Sequence, residues 1–140
     1  MSFRQPERFD LMEEWLREKF QKLKNMEIRA ESKGIKISPR KLRLVADAIR
    51  NHSVNEALRI LVVLHKRAGR ALEKTIKSAL ANAVHNAKLK EEGLRIKSIE
   101  IAGGVALKRF HPSTRGRIHP YKKRSSDIKI ILEEAHGTKN

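Results

Sequence analysis

The sequence predicts an α+β fold: a helical half, then two strands that pair antiparallel, with a long β-arm projecting between them and an extra amphipathic helix in front. Three observations carry this. Between positions 39 and 87 apolar residues recur at steps of three and four, the spacing of one helix face. At 94–101 and 128–132 they alternate with polar residues, the spacing of strands. Between those strands lie 24 residues, Gly103 to Ser126, with seven cations and no carboxylate.

A chain of 140 residues has room for one core. Its 32 Lys+Arg against 16 Asp+Glu leave +16, which points to a polyanionic partner rather than to any fold. Divided after Glu31, the front has 7 basic and 7 acidic residues and the rest 25 and 9. The expected organisation is therefore a neutral extension, 1–31, and a single polyanion-binding domain, 32–140. Cysteine is absent, which excludes disulfide frameworks and thiol nucleophiles and makes an intracellular, cytoplasmic location the default. No apolar run approaches the ~18–20 residues of a membrane span, so no membrane partner is expected. With Glu7, Asp10, Glu13 and Glu14 the start is too acidic for a transit peptide and lacks a secretory apolar region, so no cleaved leader is expected.

In the extension, Phe9, Met12, Leu16, Phe20 and Leu23, broadened by Trp15, mark an amphipathic helix. Being neutral overall, it reads as a docking element rather than a membrane-surface helix. Ile35 and Ile37 alternate with Lys36 as a short strand, ended by Ser38-Pro39, where serine suits an N-cap and proline the first helical position. A helix from Pro39 to about Arg50 turns Leu42, Val45, Ala46 and Ile49 inward. Arg40, Lys41 and Arg43 in its first turns oppose the helix dipole, which local stability does not favour; with Ser38 and Pro39 they form one candidate anion contact.

Ser53-Val54-Asn55-Glu56 is a capping box, opening a helix with Ala57, Leu58, Leu61 and Val62 as its inner stripe. From His65 the periodicity continues through Ala68, Leu72, Ile76, Ala79, Leu80, Ala83 and Ala87; a break near His65 is left open. Arg67, Arg70, Lys74 and Lys77 form a row of like charges on the other side, self-repelling and suited to following phosphates. Leu94 and Ile96, then Ile99 and Ile101, shift phase at Ser98, which predicts a bulge or strong twist. The second strand is 128–132, with Ile128, Ile130 and Leu132 on one face, and from Glu133 the tail is expected to fray.

The segment 103–126 is too long for an ordinary loop. Joining two pairing strands, its simplest form is a hairpin arm bearing Lys108, Arg109, Arg115, Arg117, Lys122, Lys123 and Arg124. Gly103, Gly104 and Gly116 permit turns and close approach, and Pro112 and Pro120 confine pairing to edges. Phe110, His111 and Tyr121 can stack on unpaired bases. Alone in water such an arm should be mobile, because only an anion offsets its repulsion and ordering cost.

Together, Ile35-Lys36-Ile37-Ser38-Pro39-Arg40-Lys41-Leu42-Arg43-Leu44-Val45, Ser78-Ala79-Leu80-Ala81-Asn82-Ala83, Leu107-Lys108-Arg109, Arg115-Gly116-Arg117 and Lys123-Arg124-Ser125-Ser126-Asp127-Ile128-Lys129-Ile130 resemble, in order and spacing, the bacterial-type large-subunit ribosomal protein family L-twenty-two. The likeness spans roughly 33–133. It implies three helices against a small antiparallel sheet and an arm threading ribosomal RNA to the wall of the nascent-peptide exit tunnel. Its implied partners are large-subunit ribosomal RNA, neighbouring large-subunit proteins and the nascent polypeptide near the arm tip, in a bacterial or organellar ribosome. Ser113 and Thr114 depart from the family's habit of a basic residue followed by a small one, and the leading helix lies outside its common core.

Catalysis is not expected. There is no GxxxxGK[ST] or GxGxxG phosphate loop. His65 and His85 fall in helical segments, and His111 and His119 stand eight apart without a carboxylate or thiol, so no metal or cofactor is expected. The rival reading is a DNA-architectural protein with basic β-arms; preference for folded ribosomal RNA over duplex DNA separates the two.

Overall fold

A computed structural model describes residues 7–24 and 27–134. Its elements are α1 (Glu7–Lys24), β1 (Ile28–Ile35), α2 (Pro39–Ile49), α3 (Val54–Val63), α4 (Arg67–Ala87), β2 (Leu94–Gly103), β3 (Leu107–Pro112), β4 (Ile118–Lys123) and β5 (Ser126–Glu134). The fold is α+β. β1, β5 and β2 form an antiparallel sheet in the order β1-β5-β2, while β3 and β4 pair as a separate ribbon, the arm. α2, α3 and α4 pack on the sheet.

Alternation puts Ile28, Ala30, Leu94, Ile96, Ile99, Ile128, Ile130 and Leu132 on the covered sheet face, where they meet Leu42, Ile49, Val54, Leu72 and Ile76. Burying such a side chain is worth roughly 1.5–3 kcal/mol. Small residues let α4 come close: Ala68, Ala79 and Ala83 are buried, and a Cβ on Gly69 would lie 3.2 Å from the Leu64 carbonyl oxygen. The expected bulge is present: Ile96 opposes Leu132 and Ser98 opposes Ile131, leaving Lys97 extra.

Elsewhere the structure departs from expectation. The strand near Ile35 runs from Ile28 to Ile35, and Ile37 lies beyond it. Its inward residues after Ile28 include small Ala30, so the apolar alternation is faint. A register shift between Ser32 and Ile35 contains Gly34, whose φ of 71° suits glycine. Ser38 occupies the N-cap of α2, but its side chain makes no capping bond. Val62 is exposed rather than inward, because one helical step from Leu61 turns it about 100° off α3's narrow inner face. The open question at His65 resolves as a break: α3 ends at Val63, α4 begins at Arg67, and His65 is an exposed connector residue rather than helical. Glu133 and Glu134 do not fray; as part of β5 they pair with Arg95 and Leu94 of β2, and the rest of the expected tail, 135–140, lies outside the described residues.

The capping box forms as read: Ser53 Oγ accepts from the Glu56 N–H at 3.4 Å and the Glu56 carboxylate accepts from the Ser53 N–H at 3.2 Å. Hydrogen bonding to the Glu56 carboxylate from the Ser53 backbone first, and from the Ser53 side chain second, holds its pKa below the ordinary value. Carboxylates also gather on the outer sheet face. Glu27 accepts from Lys97 at 2.5 Å and from Arg29 at 3.4 Å, and Glu100 accepts from Lys129 at 3.3 Å. Lys97 and then Arg29 lower the Glu27 pKa, and Glu27 raises that of Lys97.

Candidate nucleic-acid interface

Away from that neutralised sheet face, cations collect on three elements. Two helices start without the usual devices. α2 and α4 each lack a side-chain cap and have no acid in the first turn, whereas α3 has both. Uncapped N–H groups and the positive dipole end attract anions, and cations placed there raise the same potential. Of the α2 residues, Arg40, Lys41 and Arg43 are exposed and Ser38 and Pro39 half-buried. Arg43 donates to the Ile101 carbonyl at 3.0 Å, so its guanidinium is anchored to the sheet beside the arm's origin.

On α4, Arg67, Arg70, Lys74 and Lys77 are all exposed, the row the sequence predicts. Lys77, however, donates to Glu73 at 2.6 Å; its charge is answered four residues away, which leaves Arg67, Arg70 and Lys74 as the stronger part of the row.

The arm is a true ribbon, with Leu107 opposite Lys123, Lys108 opposite Lys122, Arg109 opposite Tyr121, Phe110 opposite Pro120, His111 opposite His119 and Pro112 opposite Ile118. Both strands are exposed throughout, so the arm has no core and extends roughly 20 Å at 3.3 Å per residue. Period two divides it into faces. One holds Arg109, His111, His119, Tyr121 and Lys123; the other holds Lys108, Phe110, Pro120, Ile118 and Lys122. His111 and Tyr121 stack on each other, centroids 4.0 Å apart and planes 12° apart. Each therefore offers one remaining face to a base, while Phe110 is 61% exposed. At the tip, Ser113 N–H donates to the Arg117 carbonyl at 2.7 Å, and Arg115 and Gly116 take φ of 58° and 69°, turning Arg115 outward on a tight bend.

The α2 cations and the arm cations meet at the arm root. One cleft there is lined by Ser38, Pro39, Arg40, Arg43, Gly103 and Arg124; another by Lys36, Arg109, Lys123 and Arg124. Arg124 thus joins the α2 cations to the arm. The row Arg70, Lys74 and Lys77 is not part of these clefts. Lys36 and Lys66 were not picked out from the sequence; the available signal was their place just before the two uncapped helix starts. Among the described residues no group of His, Cys, Asp or Glu is placed to hold a metal, and no helix is long and apolar enough to cross a membrane.

The family model described as "Ribosomal protein L22p/L17e" matches residues 30–133, a span that takes in the sheet, α2 to α4 and the arm and leaves out α1. Among curated relatives, "Large ribosomal subunit protein uL22" of Thermus thermophilus is 46% identical over 112 residues, covering 80% of this chain and 99% of that protein. The protein of the same description from Syntrophobacter fumaroxidans is 46% identical over 109 residues, 78% of this chain and 99% of the relative. That of Lactobacillus delbrueckii subsp. bulgaricus is 42% identical over 106 residues, 76% and 91%.

Proposed function

This chain belongs to the ribosomal protein L22p/L17e family and is a structural constituent of the large ribosomal subunit; on that premise we propose that it binds large-subunit ribosomal RNA through the α2 start, the α4 row and the arm. The observation that carries this is the arm: seven cations, no carboxylate and no buried residue in either strand. Among the described residues no carboxylate pairs with an arm cation, and a dense line of phosphates would offset that charge. The work is positioning, not turnover.

The arm is a 20 Å-scale ribbon that can thread between RNA segments and hold them together, which supports a role in subunit assembly. With the family resemblance, it supports an arm tip at the wall of the nascent-peptide exit tunnel, next to the growing chain and to neighbouring large-subunit proteins, in a cytoplasmic or organellar ribosome. Crosslinking from Arg109 and Arg117 in the assembled particle tests both parts. Adducts to large-subunit RNA from both positions are expected, with nascent chain reached from the tip; arm adducts to neither RNA nor nascent chain would overturn the reading. Equal affinity for duplex DNA and for folded ribosomal RNA at matched salt would favour the DNA-architectural rival instead.

A further inference from the structure

Between α2 and the start of α4 runs an open groove of about 550 Å³, within the roughly 300–1,000 Å³ of sites that take a small organic group. Its wall and floor are Ile37, Leu44, Val45, Ala48, Leu64 and Ala68, and its cations are Lys36, Lys41, Lys66 and Arg67; no carboxylate is among the described residues lining it. Leu44 is 76% exposed, so apolar surface stands open to water in the middle of a cationic rim.

From this juxtaposition we propose that the groove receives one unpaired nucleobase of the bound RNA, its flanking phosphates lying on the four cations and the uncapped starts of α2 and α4. The inference rests on the functional reading above and deepens it. A phosphate alone has no use for an apolar floor, and an apolar side chain from a protein has no use for four cations. A nucleotide has both parts, and single-stranded RNA presents splayed bases. The groove is also continuous with the proposed interface. Lys41 belongs to the α2 group and Arg67 opens the α4 row, so a strand that touches both crosses it.

The test uses the full chain and large-subunit ribosomal RNA. Ala48→Phe fills the groove and Leu44→Ser removes its most exposed apolar wall; both positions are exposed, and unchanged thermal unfolding verifies the fold. Each variant should bind about tenfold more weakly, the scale of losing one base contact, at an unchanged salt slope. Lys41→Ala and Arg67→Ala should instead each reduce the slope by about 0.7. Wild-type RNA affinity retained by both groove variants overturns the groove proposal alone. A wild-type chain with no salt-dependent RNA affinity overturns the functional reading beneath it. A photo-reactive side chain at position 44 in the assembled particle should mark an RNA base; marking a protein instead assigns the groove to a protein partner and overturns the proposal.

Discussion

The carboxylate of Asp127 accepts a 2.8 Å hydrogen bond from the Gly34 amide, tying the start of β5 to the bulge of β1 at the arm's root. The same root holds Gly104, whose N–H donates to the Ser125 carbonyl at 3.0 Å and where a Cβ would come within 2.7 Å of Ser125 Oγ and 3.1 Å of the Asp127 carboxylate. Asp127→Ala should cost about 1 kcal/mol, the ordinary worth of one such bond, and Asp127→Asn less. Gly34→Ala should cost about 1 kcal/mol through its left-handed backbone although nothing crowds the site. Thermal unfolding checks all three, and equal melting temperatures for wild type and Asp127→Ala would contradict the root contact.

The arm should add salt-dependent affinity without adding stability. If ~5–7 of its cations meet phosphates in single-strand-like RNA, deleting residues 108–124 should make the log-affinity against log-salt slope shallower by about 3.5 to 5, at 0.7 per contact. Because β3 and β4 bury nothing, the shortened chain should unfold as cooperatively as the full one. A deletion that unfolds the domain, or leaves the slope unchanged, would contradict this.

In the free protein the arm's amides should exchange with solvent far faster than those of β5, and become protected once the subunit is assembled. Hydrogen exchange of the isolated chain and of the particle makes the comparison. An arm as protected as β5 in isolation would show that RNA is not what orders it.

Ser53→Ala should cost about 1 kcal/mol, since it removes the acceptor of the Glu56 N–H. Ser38→Ala at the equivalent place on α2 should cost less, because no capping bond is lost there. The contrast is read from two denaturation midpoints.

The outer sheet face predicts a pH dependence. Glu27 has its pKa lowered by Lys97 and Arg29, so its contribution is present above the ordinary glutamate value and is lost as pH falls through the lowered one. Lys97 has its pKa raised by Glu27, so its contribution is present below the ordinary lysine value and is lost as pH rises through the raised one. Glu27→Gln should therefore flatten both the acid and the alkaline limbs of a melting-temperature profile. Limbs identical to wild type would contradict the pairing.

Much of this architecture could be read in advance because its elements advertise themselves by strong periodicity. Leu42, Val45 and Ile49 on α2, and Leu72, Ile76 and Ala79 on α4, are spaced so regularly that all are buried. The Lys97 bulge was visible as a phase slip between Ile96 and Ile99. β1 lies earlier than the Ile35–Ile37 alternation predicts because small Ala30 and polar Ser32 occupy its inward-alternating positions and blur the apolar pattern. Val62 is exposed although it falls beside the inner stripe, because periodicity does not reveal how wide a helix's covered face is. At the interface, each cation group could be found from the chain alone, since one-signed runs and cations against a helix dipole have no local reward. The meeting of the α2 and arm cations at Arg124 and the groove beside Leu44 depend on how separate elements approach in space, which local patterns do not encode.

The strand order β1-β5-β2 has a consequence for how the molecule comes into being. β1 and β2 are not strand partners; each pairs with β5 in the sheet, and β5 follows the arm in the chain. As the chain is synthesised, the arm is complete before the keystone strand that closes the sheet exists, so the sheet closes only after the basic finger has been made. A fragment stopping short of Ser126 carries two strands with open edges and no interior ladder to satisfy them, an invitation to quality control rather than to a ribosome.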